Sequence, residues 1–330
     1  MSPRTITEPV FDRHLGDDWR EQALLADVSA GLAAPPRRLT PRWLYDDRGS
    51  ELYTEITRLP EYYLTEAERS LLRSAATEIV EVSGADTLIE LGSGTSDKTT
   101  TLLDAFAAVD RLERFVPLDV SEQTLRDAAA ALADRYPGLQ VHGVIGDFVE
   151  HLAVVPHEGV PLLAFLGSTI GNLYPSQRAD FFRSVADWLP DDGHLLLGVD
   201  LVKPVDRIMA AYNDAEGVTA EFTLNVLAVL NRELDADFDL DAFEHVGLWD
   251  PNHTRVDLRL RSLRDQHVSI RGAALEIDIA EGEEIRAEIS TKFTLAQLDA
   301  EFAAVGLESV RAWTGDGDVA LVMVRRSRPA

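Results

Sequence analysis

Between residues 67 and 200 the chain alternates short apolar runs with longer amphipathic stretches. This alternation is typical of a parallel sheet whose strands are connected by helices. The clearest helical stretch is Ser121–Tyr136, with Ser121 as its predicted N-terminal cap and Pro137-Gly138 as its stop. The predicted strands are Thr87–Leu91, Phe115–Asp119, Gln140–Ile145, Leu162–Leu166 and His194–Val199.

The alternation ends after Asp200. Two amphipathic helices are followed there by strands of alternating polarity, so residues 201–292 are predicted to form an insertion. A closing helix and two strands joined by Gly315–Asp318 follow, and the last strand is expected to run antiparallel. The insertion is predicted to contain helices 204–213 and 217–234 and strands Arg255–Leu263 and Glu284–Phe293. The closing unit is predicted to contain a helix at 294–305 and strands near 309–313 and 318–325.

The first 66 residues lack a continuous periodic pattern. A helix is predicted over Trp19–Leu32, and Pro35-Pro36 interrupts the chain soon after it. Further on, Trp43–Ser50 and Leu59–Tyr63 combine aromatic residues with glycine or proline. These two segments are predicted to be loops that lie over another surface.

The charge of the chain disfavours several classes of partner. With 31 Lys and Arg against 57 Asp and Glu, the formal net charge is −26 at pH 7. DNA, RNA and anionic membranes are bound by clustered basic residues, so neither a nucleic acid nor a membrane is expected as a partner. A small-molecule substrate is expected instead.

Residue types that carry metal and thiol chemistry are scarce. The 330-residue chain has no cysteine, which excludes disulfides and thiol nucleophiles and favours a cytoplasmic location. Its eight histidines do not pair at helical metal-ligand spacings, so no bound metal is expected. Met1–Arg13 lacks the apolar stretch of a secretory signal, and no apolar run approaches the roughly 18 residues that span a bilayer.

A buried strand runs into a glycine turn within Leu88–Gly94, and a helix is predicted from Asp97. Because Gly92 and Gly94 have no Cβ, the backbone can approach a ligand there, beside the N–H groups of the following helix. The third glycine of a dinucleotide fingerprint would be residue 97, where the carboxylate of Asp97 would repel a pyrophosphate. NAD is therefore disfavoured, and another nucleotide-like cofactor competes with an ordinary turn that binds nothing.

Acidic side chains stand at the ends of the next two predicted strands. Asp119 lies 27 residues after Gly92, where a carboxylate can accept hydrogen bonds from both hydroxyls of a ribose. The carboxylate of Asp147 can accept a hydrogen bond from the amino edge of an adenine, and the ring of Phe148 can cover the face of that adenine. Lys98, in the first helical turn, can bind a ligand carboxylate. The alternative interpretations are helix-capping aspartates and a solvated lysine.

Six further stretches form recognisable motifs: Trp43–Ser50, Ile56–Tyr63, Glu90–Lys98, Phe165–Leu173, Asn231–His245 and Glu284–Phe293. Together they closely resemble the ergothioneine-biosynthetic L-histidine Nα-methyltransferases, and the resemblance extends from about residue 20 to the end. Members of that family transfer three methyl groups from S-adenosylmethionine (SAM) to the α-amino group of histidine, which gives the betaine hercynine.

The resemblance implies an α/β fold, that of a class I SAM-dependent methyltransferase. A Rossmann-like seven-stranded sheet would be joined to a second, α+β substrate-binding domain. Residues 67–200 and 293–330 are predicted to form the SAM-binding domain, and residues 1–66 and 201–292 the domain that recognises histidine. The resemblance implies SAM as the methyl donor, and the protein is expected to be a monomer.

The family's functional residues map onto this chain without a change of residue type. Tyr45 is the implied catalytic residue and would orient the amine or relay its proton, since a tyrosine with a pKa near 10 is a poor base. The implied SAM-binding residues are Tyr45, Gly92, Lys98, Asp119, Asp147 and Phe148. The implied substrate-binding residues are Tyr62, Gly167, Asn172, Tyr212, Glu288 and Ser290.

Within that set, Glu288 and Ser290 would bind the two nitrogens of the imidazole ring. They are two residues apart on a predicted strand and alternate with apolar residues, so both are predicted to point to one face. Arg286 and Lys292 are predicted to share that face. From the residues alone, a solvated strand face is the alternative interpretation.

Two other functions stay open at this point. One is a SAM-dependent N-methyltransferase that acts on another small amino acid or amine, and the other is a non-catalytic SAM-binding protein on the same scaffold. An NAD oxidoreductase ranks last, because Asp97 replaces the third glycine and no histidine or lysine stands out as a partner for hydride transfer.

Overall fold

The computed structural model describes residues 8–94 and 98–328, so the predicted helix start at Asp97 and its carboxylate lie outside the described residues. In this described part of the chain, no helix is both long and apolar enough to cross a membrane. The helices are α1 (Trp19–Leu32), α2 (Asp47–Ile56), α3 (Leu64–Ser83), α4 (Thr99–Ala108), α5 (Glu122–Arg135), α6 (Pro175–Trp188), α7 (Val205–Tyr212), α8 (Val218–Glu233) and α9 (Leu295–Ala303). The strands are β1 (Val10–Arg13), β2 (Arg37–Arg38), β3 (Thr87–Leu91), β4 (Arg114–Asp119), β5 (Gln140–Ile145), β6 (Pro161–Phe165), β7 (His194–Asp200), β8 (Phe243–Asp250), β9 (Arg255–Ser262), β10 (Gln266–Ile270), β11 (Leu275–Ile279), β12 (Glu284–Thr291), β13 (Leu307–Thr314) and β14 (Val319–Arg326).

The described residues divide into two compact units. Unit 1 contains residues 8–16, 66–201 and 293–328, and unit 2 contains residues 17–65 and 202–292. The sequence analysis assigned residues 1–66 as a whole to the second domain. Residues 8–16 differ from that assignment, because β1 pairs in parallel with β5 at the edge of the unit 1 sheet.

Unit 1 is built on a sheet with the strand order β1-β5-β4-β3-β6-β7-β14-β13. The first six strands in this order, up to and including β7, pair in parallel. Strand β14 lies antiparallel between β7 and β13. The predicted seven-stranded methyltransferase sheet with an antiparallel last strand is therefore confirmed, and β1 adds an eighth strand. All five residues of β3 are buried, as expected for a central strand that is covered on both faces.

Helix α5 shows how the sequence forms the layers around this sheet. Leu125, Ala129 and Leu132 are buried and lie four and three residues apart, which places them on one face of the helix. Ser121 occupies the N-terminal cap position as predicted, but its hydroxyl bonds to the Thr124 hydroxyl at 2.8 Å instead of to a backbone N–H. The apolar face of α5, rather than a side-chain cap, fixes this helix.

The strand order of unit 1 reverses between β3 and β6. In parallel α/β sheets, ligands bind beyond the carboxyl ends of the strands at such a reversal. The carboxyl ends of β3, β4, β5 and β6 lead directly to Gly92, Asp119, Asp147 and Gly167. We call this group of strand ends the cofactor edge.

Unit 2 contains a second, smaller sheet with the order β2-β12-β9-β8 and a separate hairpin of β10 and β11. Strand β12 pairs antiparallel with β9 and parallel with the short β2. Helices α7 and α8 pack on β8 and β9, and α8 turns Phe222, Val226 and Leu230 inward. Apolar residues on one face of the sheet and one face of α8 form the core of this unit.

The prediction of a loop over Trp43–Ser50 was wrong. Residues Pro41–Leu44 form a 3₁₀ turn, and α2 begins at Asp47, where Asp46 Oδ1 accepts a hydrogen bond of 2.8 Å from the N–H of Gly49. A Cβ at Gly49 would lie 1.7 Å from the Leu44 carbonyl oxygen, so this glycine permits a close approach inside a helix. The second segment, Leu59–Tyr63, forms turns without regular structure, as predicted.

Candidate active site

The glycine turn after β3 is open on the side that a ligand would use. Gly92 has a φ of +64°, and its N–H donates to the Leu118 carbonyl at 2.9 Å. Among the described residues, and apart from the chain neighbours, no atom lies within 4 Å of where a Cβ would stand on Gly92 or Gly94. The N–H of Gly94 donates to Asp119 Oδ2 at 2.9 Å. These bonds connect the ends of β3 and β4.

The two strand-end aspartates hold backbone N–H groups. Asp119 Oδ1 accepts from the N–H of Ser121 at 2.9 Å, and Asp147 Oδ1 accepts from the N–H of Val149 at 2.8 Å. Both aspartates therefore cap the turns that follow their strands, as the alternative interpretation of capping aspartates predicted. Each carboxylate oxygen has two lone pairs, so capping does not exhaust their capacity for ligand hydroxyl or amino groups. Burial raises the pKa of Asp119 in spite of the hydrogen bonds from Ser121 and Gly94, which act in the opposite direction.

Phe148 follows Asp147 and is anchored in the core of unit 1. Its ring centroid lies 4.9 Å from that of Phe165 and 6.3 Å from that of Phe181, the second pair with planes at 90°. Edge-to-face contacts of this kind fix the orientation of a ring. The cofactor edge therefore presents a rigid aromatic side chain beside a carboxylate.

Lys98 is held by a residue that the sequence analysis missed. Its Nζ donates to Glu68 Oε2 at 2.5 Å, and Glu68 Oε1 accepts from the N–H of Gly167 at 2.7 Å. Glu68 is only 1% exposed, and a Cβ at Gly167 would stand 3.6 Å from Lys98 Nζ. The solvated-lysine interpretation is therefore wrong. No local motif points to Glu68, because it reaches the cofactor edge from α3.

Asn172 ends a 3₁₀ turn, Thr169–Asn172, directly after the cofactor edge at Gly167. Ser168 begins this turn in the left-handed region with a φ of +57°, and its Oγ accepts from the N–H of Asp200 at 2.9 Å. This bond connects the segment after β6 to the end of β7. Asn172 is thereby placed by the ends of two neighbouring strands of unit 1.

In unit 2, three of the tyrosines named by the sequence analysis lie in one group of rings. We call Tyr45, Tyr53, Tyr62, Tyr212 and Phe222 the aromatic cluster. The ring centroid of Tyr45 lies 5.5 Å from that of Tyr53 and 5.3 Å from that of Phe222. The ring centroid of Tyr62 lies 6.3 Å from that of Tyr53 and 6.5 Å from that of Tyr212. The sequence analysis did not find Tyr53 and Phe222, which come from α2 and α8.

Two hydroxyls of the aromatic cluster, those of Tyr45 and Tyr62, are held in their protonated form. Desolvation, the negative charge of Glu288 and the neighbouring hydroxyls of Tyr53 and Tyr212 raise the pKa of Tyr45 well above its usual value, although 39% of this residue is exposed. Burial and the neighbouring tyrosines likewise raise the pKa of Tyr62. Both groups therefore carry an O–H at neutral pH and can donate a hydrogen bond.

Strand β12 contains a bulge that changes which side chains share a face. Arg286 lies opposite Arg259 of β9, whereas Glu288 lies opposite the next residue, Leu258, so Ala287 is an extra residue on β12. A bulge of this kind reverses the alternation of side chains along a strand. Arg286 and Glu288 consequently point to opposite faces of the sheet.

The prediction that Glu288 and Ser290 share a face holds, but the face is not the one with Arg286. Arg286 donates to Asp257 at 3.0 Å on the opposite face. Glu288 is 8% exposed and Ser290 5% exposed, and Lys292 is fully buried. The interpretation as a solvated strand face is therefore wrong.

Tyr212 joins the aromatic cluster to β12. Its Oη bonds to Ser290 Oγ at 2.8 Å, and Lys292 Nζ donates to Tyr212 Oη at 2.8 Å and to Ser290 Oγ at 2.9 Å. We call these three residues the Lys292 triad. Lys292 is a further residue that the sequence analysis did not place in the site.

The structure therefore groups the named residues by unit. Unit 1 holds Gly92, Lys98, Asp119, Asp147, Phe148, Gly167 and Asn172, and unit 2 holds Tyr45, Tyr62, Tyr212, Glu288 and Ser290.

Strand order, the glycine turn and the acidic strand ends together define a class of protein: an α/β methyltransferase of the class I, SAM-dependent fold. The model of one family, the SAM-dependent histidine-specific methyltransferases, matches residues 24–326. The chain belongs to this family.

Named relatives match over most of the chain. A histidine N-alpha-methyltransferase of Mycolicibacterium smegmatis is 51% identical over 95% of this chain and 98% of its own length. A protein of the same name from Mycobacterium tuberculosis is 48% identical over the same shares. Ergothioneine biosynthesis protein 1 of Neurospora crassa is 31% identical over 89% of this chain, which corresponds to 34% of that longer protein.

Proposed function

We propose that this protein transfers three methyl groups in succession from SAM to the α-amino group of L-histidine. The product is hercynine, and the reaction is the first step of ergothioneine biosynthesis. Family membership and the names of relatives that are 51% and 48% identical over nearly their whole length support this proposal. A monomer in the cytoplasm stays a prediction.

One observation carries the choice of substrate: Glu288 and Ser290 stand on one buried face of β12, where Ser290 is bonded to Tyr212. An imidazole ring has two nitrogens that need hydrogen-bond partners, and an acceptor and a hydroxyl two residues apart supply both. An apolar aromatic amino acid would leave the buried carboxylate of Glu288 without a ligand partner, which costs affinity.

The residues of the cofactor edge fit SAM, which when bound supplies a methyl group on a cationic sulfur. Asp119 accepts hydrogen bonds from the ribose hydroxyls, and Asp147 and Phe148 bond and cover the adenine. Lys98, oriented by Glu68, donates to the carboxylate of the methionine moiety. The open space over Gly92 lets the backbone approach this ligand closely.

Gly167 is assigned to the amino acid, and Tyr62, Tyr212 and Asn172 are assigned to its carboxylate. Each of these side chains can donate a hydrogen bond, and several donors prevent a carboxylate from rotating. In-line methyl transfer depends on such positioning, because the amine nitrogen has to be held about 3 Å from the methyl carbon.

Tyr45 is assigned to orienting the amine. Its raised pKa argues against a role as general base, since the hydroxyl keeps its proton at neutral pH. The amine has to lose a proton before each transfer, and desolvation favours its neutral form. After the third transfer the nitrogen carries a permanent charge and no hydrogen, and the ring of Tyr45 can stabilise it by a cation–π contact.

The proposal is tested by incubating the protein with SAM and L-histidine and measuring the products by mass spectrometry. Histidine that gains three methyl groups, with the signals expected for substitution at the α-nitrogen, is the predicted result. Tryptophan and tyrosine in parallel reactions test the alternative of another amino acid. Histidine left unchanged while SAM still binds would support a non-catalytic SAM-binding protein and overturn the proposal.

A further inference from the structure

Lys292 follows β12 directly and has 0% of its surface exposed. Lysine is almost never fully buried unless its charge is compensated or its hydrogens are bonded. Its ammonium group donates to both Tyr212 Oη and Ser290 Oγ, and Nζ lies 4.6 Å from the centroid of the Tyr212 ring. Two residues assigned to the substrate therefore share one buried cation.

The Lys292 triad is a closed ring of three hydrogen bonds, because Tyr212 and Ser290 also bond to each other. An ammonium group only donates, so both hydroxyl oxygens accept from Lys292. Each hydroxyl has one hydrogen, so when Tyr212 donates to the substrate, Ser290 is the donor in the bond between the two hydroxyls. A hydroxyl that accepts from a cation becomes a stronger donor to a further acceptor, and the closed ring restricts its direction.

We propose that Lys292 is a positioning residue for recognition of the amino acid. It acts through Tyr212 and Ser290: it holds their oxygens in place and strengthens the hydrogen bond that Tyr212 donates to the substrate carboxylate. This inference rests on the proposed function, from which it takes the assignment of Tyr212 and Ser290 to the substrate. It adds a residue that no contact with the ligand would identify.

The chain offers a matched control in the same unit. Lys203 donates to Tyr63 Oη at 3.0 Å, and its Nζ lies 4.4 Å from the centroid of that ring. This Lys–Tyr pair repeats the kind of contact in the triad, and neither member is assigned to SAM or to histidine. Lys203→Met therefore removes a similar interaction without touching the proposed substrate residues.

The experiment compares Lys292→Met with Lys203→Met, since methionine fills a similar volume without charge or donors. Calorimetry measures the affinities for histidine and for SAM, and steady-state kinetics gives KM and kcat. In Lys292→Met, histidine affinity should fall about tenfold or more, because two hydrogen bonds from a cation are lost. The SAM affinity of Lys292→Met should stay within about twofold of the wild-type value. In Lys203→Met, the affinities for histidine and for SAM should both stay within about twofold of the wild-type values.

A double-mutant cycle tests whether Lys292 acts through the two hydroxyls. In a Tyr212→Phe, Ser290→Ala background the two hydroxyls through which Lys292 is proposed to act are absent, so adding Lys292→Met should cost less than about twofold further in histidine affinity. A merely structural role predicts that the losses multiply, and that SAM affinity falls with histidine affinity. Either result would overturn the proposal.

If Lys292→Met does not fold, Lys292→Arg and Lys292→Gln replace it. Arginine keeps a cationic donor and glutamine keeps only a neutral one, so Lys292→Arg should retain the higher histidine affinity. Equal affinities in the two variants would overturn the proposal. A wild-type protein that does not methylate histidine refutes the proposed function instead, whereas an active wild type with an unchanged KM in Lys292→Met refutes only the role of Lys292.

Discussion

The cofactor edge of unit 1 and the substrate residues of unit 2 are built in different ways. At the cofactor edge, Asp119 is the last residue of β4, and Gly92 and Asp147 follow β3 and β5 by one and two residues, so the sheet itself places all three. In unit 2, the aromatic cluster and the Lys292 triad combine residues from two distant stretches of the chain, 45–62 and 212–292.

This difference has a chemical counterpart. The cofactor edge offers backbone N–H groups and carboxylates, which under the proposed function bind the ribose and amino groups of a nucleoside. Unit 2 offers the protonated hydroxyls of Tyr45 and Tyr62, together with the buried side chains of Lys292 and Glu288. A parallel sheet can thus supply the general cofactor site, while selectivity for one amino acid depends on side chains brought together by tertiary packing.

The largest expected effect separates the two regions directly. Asp119→Ala should lower SAM affinity about 100-fold and leave histidine affinity within about threefold, because it removes charged acceptors of the ribose. Glu288→Ala should do the reverse, with a loss of about 100-fold for histidine. Calorimetry with each ligand measures both. If Glu288→Ala weakened both ligands equally, its assignment to the imidazole ring would have to be abandoned.

A smaller effect is expected at Glu68, which orients Lys98 without being placed in contact with SAM. Glu68→Gln keeps an acceptor for Gly167 but loses the charge that holds the ammonium group, so SAM affinity should fall about tenfold. Glu66→Gln is the matched control on α3, since Glu66 pairs with the exposed Arg73 and should change SAM affinity less than about twofold. Equal behaviour of the two variants in a binding titration would contradict the role of Glu68.

The smallest effect concerns pH. Burial raises the pKa of Asp119, so this carboxylate takes up a proton at a higher pH than an ordinary aspartate. Acidification should therefore weaken SAM binding by up to about tenfold as the ionised acceptor is lost. The Asp119→Asn variant should bind SAM more weakly than the wild type, and its SAM affinity should not fall further at acidic pH. If SAM affinity fell at acidic pH in Asp119→Asn as much as in the wild type, a group other than Asp119 would be responsible for the loss.

Much of unit 1 was predictable because its signals are local. The strands Thr87–Leu91 and Gln140–Ile145 coincide with the predicted ones, since a buried strand needs a short apolar run between polar turns. The edge strand β1 was missed, because four residues with mostly exposed side chains carry no such run. Pairing with β5, a tertiary contact, makes them a strand.

Residues of unit 2 were predicted less well, for two physical reasons. A regular alternation of side chains predicts that Glu288 and Arg286 share a face of the sheet, but the bulge at Ala287 reverses that alternation. No residue type in this stretch indicates the bulge. The start of α2 fell within the predicted loop Trp43–Ser50, because its glycine is used for a close approach to Leu44 and its cap, Asp46, lies among aromatic residues.

Three features were predictable from the amino-acid sequence alone: the strand–helix alternation, the glycine turn with its acidic strand ends and, through its motifs, the family. Each of these depends on spacing within one short stretch of chain. Only the tertiary structure decided that Glu68 holds Lys98, that Tyr53 and Phe222 complete the aromatic cluster, and that Lys292 is buried against Tyr212 and Ser290. The physical reason is burial: a charged side chain takes its role from the groups that replace water around it, and those groups come from distant parts of the chain.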